Sequence, residues 1–114
     1  MKVLVTGSRD WTNEDLVRQE LSLIEIGVLC HGAARGLDTI AGKIATELGW
    51  LVIPYPVRVQ VDGPWPAAGV NRNQRMLDDF MPDYALAFPL PQSKGTYDMI
   101  RRLIKVGVPH RIIG

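Results

Sequence analysis

Hydrophobic positions along the chain alternate between two periods. Lys2 to Thr6 (KVLVT) is a short β-branched run that stops at Gly7, the pattern of a parallel strand buried on both faces. A helix is expected next: Thr12 and Asp15 have capping-box spacing, and Leu16, Val17, Leu21 and Ile24 share one helical face until Gly27. Val28 to His31 reads as a second strand. Leu37, Ile40, Ala41, Ile44, Ala45 and Leu48 then recur at helical spacing, with Gly49 as the stop. Trp50 to Tyr55 reads as a third strand, and the Pro- and Gly-rich stretch from Pro56 to Gly69 predicts a loop of unusual length. The spacing predicts a third helix from Asn71 to Phe80, with Asn71 as N-cap, Gln74 as its partner, and Asn73, Met76, Leu77 and Phe80 facing inward. A fourth strand over Asp83 to Phe88, a fourth helix over Gly95 to Val106 and a fifth strand over His110 to Ile113 complete the pattern.

Five strands alternating with about four helices imply an α/β fold: a parallel sheet with right-handed crossovers and helices on both faces, hence three layers. The 114 residues suit a single domain spanning 1–114, and at this length burial can hold the core without a metal or disulfide. No apolar run approaches the roughly 18 residues of a membrane span, and Lys2 leads into a strand pattern rather than a signal-peptide core. A cytoplasmic protein with no membrane partner is therefore expected. Cys30 is the single cysteine and His31 and His110 the only histidines, so no metal site is expected. Thirteen basic against twelve acidic residues give a net charge of +1, which argues against gripping nucleic acid through bulk charge.

Sheets of this kind bind ligands beyond the carboxyl ends of their strands, near the switch in strand order. The residues expected there are Gly7, Ser8 and Arg9 after the first strand, and His31, Gly32, Gly36 and Asp38 after the second. Arg72, Asn73 and Arg75 follow the third, and Gly95 and Thr96 the fourth. Glycines at such turns admit a ligand close to the backbone, and a helix N-terminus offers free N–H groups and about half a positive charge. Gly95, Thr96 and the neighbouring Lys94 thus read as a phosphate seat, or as a tight turn with an N-terminal threonine. Asp38 reads as a partner for a sugar hydroxyl, or as an acidic residue placed for the helix dipole. Arg72 and Arg75, three apart near a helix start, oppose the dipole and read as anion ligands, or as a solvated face. Trp11 and Trp65 read as amphipathic side chains packed at a rim, or as stacking platforms for a base.

GSRDW at 7–11, HGAARGLDTIA at 31–41, NRNQRML at 71–77 and GTYDMIRR at 95–102 resemble the YspA-like branch of the SLOG superfamily, over essentially the whole chain. The resemblance implies a Rossmann-like sheet and a nucleotide-type ligand. The wider superfamily includes the lonely-guy phosphoribohydrolases, which cleave the base from nucleoside monophosphates, and DprA, which binds single-stranded DNA. The lonely-guy phosphate loop reads G-G-x-G-T-x-x-E; Gly95 and Thr96 match its G-T, whereas the catalytic glutamate position is Met99 here. Catalysis would fall to Asp98 or Asp38.

The expected function is binding of a phosphorylated nucleotide or nucleotide-derived ligand at the sheet's carboxyl edge, as a sensor or carrier, with no cofactor required. The alternatives are an N-glycosidase or deoxyribosyltransferase-like enzyme and, less favoured by charge, a binder of single-stranded nucleic acid through clustered arginines and tryptophans. A homodimer or higher oligomer is a further expectation from the resemblance.

Overall fold

The computed structural model describes residues 1–114. The elements run β1 (Lys2–Gly7), α1 (Glu14–Ser22), β2 (Val28–His31), α2 (Leu37–Glu47), β3 (Leu51–Pro54), α3 (Val59–Asp62), α4 (Ala68–Phe80), β4 (Tyr84–Phe88), α5 (Lys94–Val106) and β5 (His110–Ile112). The strands form one sheet in the order β3-β2-β1-β4-β5, and every pairing is parallel. This is a doubly wound, Rossmann-like three-layer sandwich, as the alternating pattern predicts.

The side chains of β1 fix the layers. Val3, Leu4 and Val5 are all fully buried, and because successive side chains in a strand point to opposite faces, they enter different cores. Val3 and Val5 pack with Val17 and Leu21 of α1 and Leu37, Ala41 and Ile44 of α2. Leu4 packs with Met76, Leu77 and Phe80 of α4 and Met99 and Leu103 of α5. The chain therefore winds outward from β1 in one direction along one face, then crosses to β4 and winds the other way along the opposite face. The reversal falls between β1 and β4.

Several boundaries differ from the sequence expectation. The N-cap of α1 is Asn13, not Thr12: its side-chain Oδ1 accepts the Leu16 N–H at 3.0 Å, while its own carbonyl accepts from the Trp11 indole at 3.0 Å. The first helix also ends at Ser22, leaving Ile24 in the following turn. The expected loop from Pro56 to Gly69 instead holds the short α3 and the first residues of α4, so there are five helices rather than about four. Asn71 consequently lies inside α4 and caps nothing; its Nδ2 donates to the Asp62 carbonyl at 2.8 Å, and Gln74 turns to Asp78. The last helix begins at Lys94, one residue before Gly95, with Ser93 in the cap position.

The capping assignment is testable. Asn13→Ala should lower the unfolding free energy by about 1 kcal/mol in urea denaturation, and Thr12→Ala should lower it by markedly less. The reverse ranking would place the cap at Thr12.

Candidate functional site

The turn after β1 is tied by the backbone of Ser8. Its N–H donates to the Phe88 carbonyl at the end of β4 (3.1 Å), and its carbonyl accepts from Trp11 and from Leu37 at the start of α2. Its hydroxyl accepts the Asp10 N–H at 3.0 Å. Two glycines permit this crowding. A Cβ on Gly7 would lie 2.3 Å from the Leu37 side chain, and one on Gly36, where φ is +74°, would lie 2.3 Å from the Arg9 carbonyl.

Beyond β2 the chain curls back on itself. His31 Nδ1 accepts the Ala33 N–H at 2.9 Å, and the Asp38 carboxylate accepts the Ala34 N–H at 3.2 Å. Burial, reinforced by the charge of Arg72, lowers the His31 pKa, so the ring is neutral and able to accept that bond. Asp38 is 6% exposed. Burial raises its pKa to about 6, against the Ala34 N–H and the Arg72 charge, which favour the carboxylate.

Arg72 joins the ends of three elements. Its Nη1 donates to the Gly32 carbonyl and, at 3.1 Å, to the Tyr55 carbonyl, and its Nε donates to Asn73 Oδ1 at 3.3 Å. It forms no ion pair with any carboxylate. Its partners are carbonyl dipoles, so its charge remains available to an anion. Asn73, also buried, donates to the Gly95 carbonyl at 3.1 Å and to Asp98 at 3.0 Å, fixing the start of α5 against α4.

The first turn of α5 is open. Ser93 does not cap it, because its Oγ accepts the Leu90 N–H at 2.9 Å instead. The N–H groups of Gly95 and Thr96 have no backbone acceptor, as is usual in a first helical turn. Thr96 is 4% exposed and its hydroxyl makes no hydrogen bond within the protein. Thr6, at 9% exposure on β1, is in the same condition.

These groups line a cavity of about 410 Å³ at the reversal between β1 and β4. Of the predicted ligand residues, the structure brings together Gly7, Ser8, Arg9, Asp38, Arg72, Asn73, Gly95 and Thr96 on its wall, with Arg35, Lys94 and Trp65. Four cations (Arg9, Arg35, Arg72 and Lys94) face two carboxylates (Asp10 and Asp38) there. Charge is thus concentrated locally in a chain that is nearly neutral.

Other predicted residues are placed elsewhere. Arg75 does not line the cavity; it grips Asp62 through Nε (2.8 Å) and Nη2 (3.0 Å). Its spacing from Arg72 puts both on one helix, but Asp62 lies thirteen residues earlier, so helical spacing alone does not reveal the pair. Asp98 is also outside the cavity wall, held by Asn73 and by Arg102 Nε at 2.8 Å between α4 and α5. His31, Gly32 and Gly36 shape the floor from behind rather than lining it. Met99, at the lonely-guy glutamate position, is fully buried in the core beneath α5. Thr6 was missed because a threonine ending a β-branched run reads as a strand former.

A doubly wound sheet with a polar, cation-rich cavity at its switch point defines a Rossmann-like domain. Residues 1–60 match the model of the YspA, cpYpsA-related SLOG family. The chain is 38% identical over 116 aligned residues to the Gene 61 protein of Mycobacterium phage D29, covering 95% of this chain and 92% of that protein. The chain belongs to the YspA, cpYpsA-related SLOG family, whose membership suggests binding or processing of a nucleotide-related ligand. No helix is long and apolar enough to cross a membrane.

Two carboxyls should tilt stability with pH in opposite senses. Hydrogen bonds from Arg75 hold Asp62 at about 2, so its contribution is complete above the ordinary value of 3.8 and is lost as pH falls toward 2. Asp38 sits above 3.8 when folded, so the unfolded chain gives up this proton first, and stability falls as pH rises from 3.8 to about 6. Urea titrations should show Asp38→Asn flattening the upper window and Asp62→Asn the lower. Unchanged slopes in both variants would contradict these assignments.

Proposed function

We propose that this protein binds a phosphorylated nucleotide at the carboxyl edge of the sheet and acts as a sensor or carrier. The observation that supports this most is the open first turn of α5, with the hydroxyl of Thr96, which has no hydrogen-bond partner within the protein, beside it on the cavity wall. N–H groups of a helix start, a hydroxyl and the surrounding cations are complementary to a phosphate. In this reading Gly95 and Thr96 hold the phosphate, while Arg9, Lys94 and Arg72 offset its charge. Asp38, whose carboxyl lines the same cavity, accepts a hydrogen bond from a sugar hydroxyl.

Calorimetric titration with nucleoside mono- and diphosphates, NAD and ADP-ribose is expected to give saturable binding to at least one of them. Thr96→Val should weaken that binding about tenfold or more, the loss of one hydrogen bond to a charged group, without lowering the melting temperature. Absence of binding across the whole panel would overturn the proposal.

Asp38 favours a second reading, cleavage of an N-glycosidic bond. A buried carboxyl with a raised pKa on a ligand cavity is the kind of group that serves acid–base or cation-stabilising chemistry. That reading expects free base on incubation with nucleoside monophosphates and none with Asp38→Asn. Failure of the unaltered protein to release base from any of them would eliminate it.

A further inference from the structure

Trp65 is 57% exposed, whereas the other two tryptophans, Trp11 and Trp50, are 7% and 5% exposed. It is also the sole aromatic side chain on the cavity wall. The segment that carries it, residues 56–67, is fastened a few residues upstream. Asp62, 3% exposed, accepts two hydrogen bonds from Arg75 and the Arg58 N–H at 2.8 Å, and its carbonyl accepts from Asn71. Arg75 also donates to the Pro56 carbonyl at 2.9 Å. These bonds all run from the segment to α4 or close its own α3 turn, and α4 is the same helix that carries Arg72 to the cavity. The Trp65 ring edge lies against the first turn of α4 at Gly69, 3.5 Å from the position a Cβ would take there. The ring is thus docked at one edge on a fastened strap, with more than half its surface free.

We propose that residues 56–67 form the base-recognition element of the site: the Asp62–Arg75 clasp positions Trp65 as a stacking platform for the aromatic base of a bound nucleotide. The proposal rests on the phosphate-anchored reading above and adds what that reading leaves open, the feature that separates a nucleotide from a plain sugar phosphate. Stacking on an indole tolerates every base, since each has a π-face, and hydrogen-bonding atoms of the base need not be read. Trp65 contacts the ligand in this arrangement, and Asp62 and Arg75 are positioning residues.

The test compares AMP, GMP, CMP and UMP with ribose 5-phosphate by calorimetry. The unaltered protein should bind the monophosphates at least tenfold more tightly than ribose 5-phosphate. Trp65→Ala should bring the two classes to within about twofold by weakening the monophosphates alone, and Trp65→Phe should keep most of the difference. Arg75→Ala, checked for folding by circular dichroism, should narrow the gap in the same direction without changing ribose 5-phosphate affinity. Equal affinity of the unaltered protein for both classes overturns the base platform alone, as does an equal loss of both in Trp65→Ala. Binding of neither class overturns the platform together with the phosphate seat beneath it.

Discussion

Everything in this fold follows from the burial of β1 on both faces. A strand with Val3, Leu4 and Val5 all withdrawn from water needs a paired strand on each edge and a helical layer on each side. The chain supplies these by building β2 and β3 outward on one edge and β4 and β5 on the other. Two neighbouring strands whose following segments leave toward opposite faces cannot be covered by either segment at their ends. The cavity between β1 and β4 is therefore a product of packing before it is a product of chemistry, and the side chains of Thr6, Arg9 and Thr96 occupy a gap that the winding creates.

Within that gap the polar groups divide by what they are bonded to. Outside its wall, Arg75 pairs with Asp62 and Arg102 with Asp98, so those charges are compensated in place, and the neutral Asn73 donates to Asp98 across α4 and α5. Arg72 bonds to carbonyls instead, so it joins β2, β3 and α4 while leaving a positive charge on the wall. Its pKa shows both influences: burial disfavours the charged form, while Asp38 and Asp62 support it. Against burial, the Ala34 N–H and then the field of that cation favour the charged form of Asp38.

The strands and their parallel direction were legible because a β-branched run without polar interruption has few other solutions, and because alternation with helical periods favours a parallel sheet; the strand order was not. The carboxyl-edge residues were legible for the same reason, since each follows its strand directly. The stretch from Pro56 to Gly69 was not. Its prolines and glycines mask a four-residue helix whose stability comes from Asp62 meeting Arg75, a contact that no local pattern carries. Asn71 misled in a similar way, because an asparagine followed three residues later by glutamine has the spacing of a cap even in mid-helix. Arg75 reads as an anion ligand for want of a visible counter-charge, and Thr6 reads as a strand former because its place on the cavity wall depends on where the neighbouring strand ends.

Ser93 gives the start of α5 a particular character. A serine in that position ordinarily closes the first turn with its own hydroxyl, an arrangement that contributes about 1 kcal/mol to a helix. Here the hydroxyl is committed backward to Leu90, and the helix forgoes that contribution. The weakest-secured turn of a long helix is thus also the one that opens on the cavity. Any substitution that made this end of the helix more secure from within would do so by occupying the same N–H groups a ligand would use. Robustness and occupancy compete there for one set of atoms, so a chain selected for thermal endurance alone would be drawn toward closing its own site.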